Sequence, residues 1–186
     1  MGLSESVSQG ESFAGVYFEL QSDIHLGDLE TNHGSWNPIG WFQNKTDLGG
    51  EPRTAFEGSF DGAEHRISGL KFTKNDENYS YLGLFGLIKN GTVENLALEA
   101  EEIAGDDNVA LLAGCVDGSS VIRNVTVNGS VYAEQDAGGI AGEVTGGTNR
   151  AVIENCTADS ITVNSEGEPA LREELREMCR RRSWPT

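Results

Sequence analysis

The feature that most constrains this chain is a repeat running from Phe56 to Cys156. Ala55-Phe56-Glu57-Gly58, Gly83-Leu84-Phe85-Gly86, Leu111-Leu112-Ala113-Gly114 and Gly139-Ile140-Ala141-Gly142 align, and their closing glycines fall 28 residues apart each time. A second landmark follows each glycine: Ile67-Ser68-Gly69-Leu70, Val93-Glu94-Asn95-Leu96, Ile122-Arg123-Asn124-Val125 and Ile153-Glu154-Asn155-Cys156. Two landmarks recurring together at a fixed period mean a repeat architecture. Runs such as Val121-Ile122-Arg123-Asn124-Val125-Thr126-Val127 alternate apolar and polar residues, the pattern of a half-buried strand.

A unit with one apolar side cannot bury it alone, and stacking successive units solves the problem. The expected fold is therefore all-β, a right-handed parallel β-helix (a solenoid) of about four coils with a short C-terminal α-helix. Gly58, Gly86, Gly114 and Gly142 are expected to form one structural column. Asn95, Asn124 and Asn155 are expected to form another, a buried ladder whose side-chain amides hydrogen-bond from coil to coil.

These residues carry a resemblance. Tyr81-Leu82-Gly83-Leu84-Phe85-Gly86, Gly91-Thr92-Val93-Glu94-Asn95-Leu96, Gly138-Gly139-Ile140-Ala141-Gly142 and Val152-Ile153-Glu154-Asn155-Cys156 resemble GLUG-motif repeats. The upstream segments Phe13–Leu20, Trp36–Gly40 and Phe56–Leu70 resemble the module that often precedes them, so the likeness covers about residues 13 to 165. Ala110-Leu111-Leu112-Ala113-Gly114 departs from the usual Gly-Gly start. The resemblance implies a microbial surface or secreted protein, hence an extracellular or cell-surface location. Met1 to Gly10 shows neither the charged nor the apolar region of a signal peptide.

Composition narrows the classes. The net charge of -17 argues against nucleic acid, whose phosphates call for Lys and Arg, and against anionic membranes. No stretch approaches the roughly 20 apolar residues of a membrane-spanning helix. The three cysteines, Cys115, Cys156 and Cys179, lie far apart without histidines at ligand spacing, so neither a disulfide scaffold nor a zinc site is expected. Cys156 occupies the slot of Leu96 and Val125 and reads as a buried core thiol.

Along the chain, residues 1–12 read as a disordered segment, 13–168 as the β-helix domain and 169–186 as a basic amphipathic helical tail. Leu171, Leu175 and Met178 form the tail's apolar stripe, and from Leu171 onward five arginines face three acidic residues. Glu30 to Arg53 reads as a long loop off the first coil. Its Trp36 and Trp41 either cap the open end of the apolar column or form a sugar-stacking platform, and they are the candidate ligand-binding residues. Asp61 and His65 invite an acid–base reading, against which Asp61-Gly62 is a turn signature. Asp106-Asp107-Asn108 and Asp117-Gly118 read as solvated acidic turns rather than calcium sites. Sequons occur at Asn44, Asn78, Asn90, Asn124, Asn128 and Asn155, of which burial would protect Asn124 and Asn155.

The expected function is a non-catalytic structural or adhesive module without cofactor or metal, whose partners would be glycans or host or surface proteins. The alternative is a polysaccharide lyase or glycosidase on the same fold. That chemistry needs Asp61, His65, Arg66, Asp106, Asp107 and Arg123 to converge, at least three of them in one groove. A fragment of a surface protease is a further reading, although no His-Glu-x-x-His is present. The sequence leaves the oligomeric state open.

Overall fold

The computed structural model describes residues 2–27, 36–40, 43–44, 54–72, 79–146 and 149–165. The chain winds as a parallel β-solenoid of about three turns, preceded by strands of an earlier one. A short helix α1 (Leu3–Ser8) leads into β1 (Tyr17–Glu19), β2 (Ile24–His25) and β3 (Gln43–Asn44). The next turn holds β4 (Ser59–Asp61), β5 (Arg66–Phe72), β6 (Tyr79–Ser80) and β7 (Phe85–Lys89). Then come β8 (Thr92–Ala104), β9 (Val109–Ala110) and β10 (Ala113–Asp117), followed by β11 (Val121–Ala133), β12 (Ala137–Gly138) and β13 (Ala141–Val144). The last described strands are β14 (Val152–Glu154) and β15 (Thr157–Ser165).

Each turn lays its strands on those of the turn before. The largest sheet runs β1-β4-β8-β11-β14, and beyond a corner it continues with β2, β5, the second halves of β8 and β11, and β15. A second face stacks β7, β10 and β13, and a short third face pairs β9 with β12, all parallel. Among the described strands only β3 and β6 pair antiparallel. Inward residues then form columns. Phe60, Val93, Ile122 and Ile153 lie in one register, and Phe72, Ile103, Val131 and Val163 in another. The interior begins as an aromatic stack, with Phe13, Phe18, Phe56, Phe85 and Phe60 in ring contact, and turns aliphatic toward the C-terminal side.

The corner inside β8 and β11 explains the repeated asparagine. Asn95, Asn124 and Asn155 each hold φ at 53°. That left-handed conformation brings Cβ against the carbonyl in most residues, and asparagine is among the few non-glycine residues that adopt it readily. The bond pattern also joins them: Asn124 Nδ2 donates to Asn95 Oδ1 at 2.9 Å, and Asn95 Nδ2 donates to Asp61 Oδ1 at 3.0 Å. The ladder is not buried as the sequence suggested. Asn124 and Asn155 are exposed and Asn95 half-buried, because a tight corner points its side chain outward. Burial therefore does not shield the sequons at Asn124 and Asn155.

The glycine column also needs one correction. Ala113 lies in register with Phe85 and Ala141, which places Gly86, Gly114 and Gly142 above one another. A Cβ on Gly114 would stand 2.3 Å from the Tyr81 carbonyl carbon, and one on Gly142 would stand 2.5 Å from that of Asn108. Backbone fills the space a side chain would need. Gly58 belongs elsewhere: Thr92 N donates to its carbonyl, and Phe56 bridges to Ile88 rather than to Gly86. The residue that meets the column is Gly40, since Ile39 bridges to Phe85 and accepts from Gly86 N.

The N-terminal segment differs from expectation as well. Leu3–Ser8 form a helix whose Val7 is fully buried and whose Leu3 packs on the core. Ser4 Oγ donates to the carbonyls of Asn37 and Pro38, tying the helix to the first turn. The expected amphipathic tail at 169–186 lies outside the described residues.

Candidate functional site

Two surfaces of the solenoid hold chemically interesting groups. The first is the N-terminal end. Phe18, Leu20, Ile24, Leu26, Trp36 and Ile67 are among the walls of a cavity of about 390 Å³, whose one charged lining residue among the described residues is Glu19. Trp36 is half-buried there and donates its indole N–H to the Leu84 carbonyl at 3.0 Å, which fixes the ring as a wall of the cavity. A buried indole needs such a partner for its polar edge. Trp41, the other candidate ligand-binding residue, lies outside the described residues.

The second surface is an outward row on the largest sheet. Glu19, Asp61, Glu94, Arg123 and Glu154 occupy successive rungs in one register. Arg123 is ion-paired to Glu94, which raises its pKa further above the usual guanidinium value. Burial would push the Asp61 carboxyl up, but the Ala63 N–H, the Asn95 amide and the Tyr17 hydroxyl outweigh it and hold the carboxyl below its ordinary range. The Tyr17 hydroxyl donates to Asp61 at 2.8 Å and is held well above the usual phenol range, chiefly by that bond.

The proposed acid–base pair does not form. Asp61 Oδ1 accepts from Ala63 N at 2.8 Å, as the Asp-Gly turn signature implies, while His65 Nδ1 lies 3.1 Å from Asp23. The other candidates are engaged separately. Arg66 pairs with Glu99, and Asp107 Oδ1 accepts from the backbone N–H groups of Asn108 and Asp136. Asp61 and Arg123 share a row with Glu94 between them, on an open face.

The turn around Asp106 is not solvated, contrary to its composition. Asp106 and Asn108 are about 5% and 4% exposed, and Ser80 Oγ donates to Asp106 Oδ2 at 3.3 Å. The turn folds inward because Asp106 accepts the Glu134 and Gln135 N–H groups of the next coil through its carbonyl. Asp117 matches the solvated reading more closely: it is half-buried, accepts from Thr145 Oγ1 and pairs with Lys89. Among the described residues no three His, Cys, Asp or Glu side chains gather at metal-binding distance.

Cys156 takes the slot after Leu96 and Val125, but it is half-buried, and among the described residues no strand pairs with β15 on the side away from β11. Cys115 is buried, and burial raises its thiol to about 11. Sequence reasoning missed Tyr17 and Glu94, the neighbours that engage Asp61 and Arg123. The signal was available in the alternation of Tyr17-Phe18-Glu19, which fixes Phe18 inward and its neighbours outward.

Fold and corners together define the class: a parallel β-solenoid repeat domain. The family model of the GLUG motif matches residues 133–164, from the end of β11 through β12, β13 and β14 into β15. It is 35% identical to halomucin of Haloquadratum walsbyi over 148 residues, 76% of this chain and 2% of halomucin. It is 37% identical to a Gly-rich membrane protein of Evansella cellulosilytica over 117 residues, 61% of this chain and 12% of that protein. It is 46% identical to the zinc metalloprotease ZmpB of Streptococcus pneumoniae over 50 residues, 26% of this chain and 3% of the protease. The chain thus spans a small part of each of these relatives. No solved structure matches it. Among the described residues no helix is long and apolar enough to cross a membrane.

Proposed function

We propose that the chain is a non-catalytic structural or adhesive repeat module of a microbial cell-surface or secreted protein. Its binding surface, for a glycan or a protein, is the N-terminal end around Trp36, and Trp41 is the second candidate ligand-binding residue. What supports this reading most is that the ionisable side chains suited to chemistry are separately engaged. Asp61 closes a turn, His65 contacts Asp23, Arg66 pairs with Glu99 and Arg123 with Glu94. Acid–base catalysis requires such groups to converge on one reacting atom. The relatives are long proteins of which a segment like this one is a small share, as expected for a module repeated or combined with others. A net charge of -17 keeps such a module soluble and suits a salty medium that screens self-repulsion.

A glycan-array screen run beside a depolymerisation assay on acidic and neutral polysaccharides tests this. The reading predicts selective binding that Trp36→Ala weakens, with no turnover. Turnover abolished by Asp61→Asn would instead make the row of Tyr17, Asp61, Glu94 and Arg123 a catalytic face.

A further inference from the structure

The fold treats the sequons unequally. Asn90, Asn124 and Asn128 are all exposed, and each lies on a rung with described chain stacked on both sides. Asparagine-linked glycosylation joins the sugar to Nδ2 and leaves Oδ1 in place. A site that keeps its fold when modified therefore holds the amide by its oxygen and presents its nitrogen.

Asn90 meets that condition. It stands at φ 54° in the turn between β7 and β8. Its Oδ1 accepts from Ser119 N at 3.0 Å and from Ser119 Oγ at 3.1 Å, in the turn that stacks on it. A backbone N–H needs an acceptor, which fixes which way round the amide lies. Gly118 completes the seat: it holds φ at 68°, and a Cβ there would collide with the Asn90 oxygen. Among the described residues no group accepts from Asn90 Nδ2, which is left to solvent. Asn124 fails the condition, because its Nδ2 is the atom that donates to Asn95 Oδ1. Asn128 stands mid-strand, opposite Glu99 and beside a register shift against β15, so a glycan there would lie over the neighbouring strands.

We propose that Asn90 is a site of asparagine-linked glycosylation, an inference that rests on the reading of a surface or secreted protein. Its Nδ2 attacks the anomeric carbon of a lipid-linked oligosaccharide diphosphate. The C–N bond forms and the C–O bond to the diphosphate breaks. The lipid diphosphate leaves with the electron pair, and a base of the transferase takes one amide proton. The full chain, secreted from a glycosylating host behind a removable export leader, tests this by intact mass and peptide mapping. Because the leader supplies export, the result is separate from whether the native chain reaches the surface. The expected result is a glycan on the peptide that holds Asn90. Thr92→Ala removes the sequon without touching the Asn90–Ser119 bonds, and Asn90→Asp keeps an oxygen for Ser119; both lose the glycan. The glycosylated chain is expected to melt at the temperature of Thr92→Ala. A bare Asn90 in the secreted chain overturns the proposal, with or without glycans at Asn124 or Asn128. A glycan at Asn90 that lowers the melting temperature overturns the seat on which it stands.

Discussion

At the residue scale, the corner asparagines separate two causes that the sequence merges. Asn124 is both a rung of a hydrogen-bonded ladder and a residue in the left-handed region. Because it is exposed, water replaces its side-chain bond at small cost, whereas a non-glycine residue forced into that conformation costs about 1–2 kcal/mol. Asn124→Gly should therefore be close to neutral and Asn124→Ala destabilising by about 1 kcal/mol in urea unfolding. Equal losses in both variants would restore the ladder as the main cause. The recurrence of asparagine was legible in the sequence; its outward direction was not, because corner geometry rather than residue polarity decides it.

The carboxylates give a second test at this scale. Asp61, Asp23 and Asp117 all sit below the ordinary value of 3.8 in the folded chain. A depressed folded pKa gives stability that is present above the unfolded value and disappears as pH falls through the folded one. The urea midpoint should thus hold down to about pH 5 and fall below about pH 4. Asp61→Asn should flatten that acid limb. An unchanged limb in the variant would show that the bonds from Ala63, Asn95 and Tyr17 do not favour the ionised form.

At the scale of elements, the strands read well where the alternation is long and poorly where the turn chemistry takes over. β8 and β11 were legible as repeats because their inward residues return at a fixed offset. Gly58 was misplaced because a 28-residue spacing to Gly86 arose without stacking. The matching signal, Pro38-Ile39-Gly40 against Leu84-Phe85-Gly86, was masked by the long insertion after Gly40. Helix α1 escaped notice because six residues seldom hold a helix alone; only Leu3 and Val7, four apart, hinted at it. The same strands make a graded prediction. Ile122→Ala, fully buried, should cost about 2–5 kcal/mol, and Ile153→Ala on the last rung well below that. Comparable losses would mean that the last rung is as enclosed as the middle of the stack.

At the scale of the whole molecule, a solenoid turns the function question into one about surfaces and ends. The repeat predicted the architecture because a one-sided unit must stack, and this required no single diagnostic residue. The candidate ligand-binding residues were less legible. Trp36 lies at the N-terminal end in a way that fits both readings, since its ring lines a cavity while its N–H closes a bond to Leu84. The possible chemistry of Asp61, His65 and Arg123 could not be judged from their spacing, because rung register decides what each one meets.

The central claim is that successive turns lie parallel and in register. Interstrand nuclear Overhauser contacts in isotopically labelled protein test it most directly. The account predicts backbone contacts from Val125 to Leu96 and Cys156, and from Thr126 to Ala97 and Thr157, with the same offset maintained through Val127. Contacts whose offsets run in opposite directions along the two strands, as in an antiparallel hairpin, would contradict the solenoid.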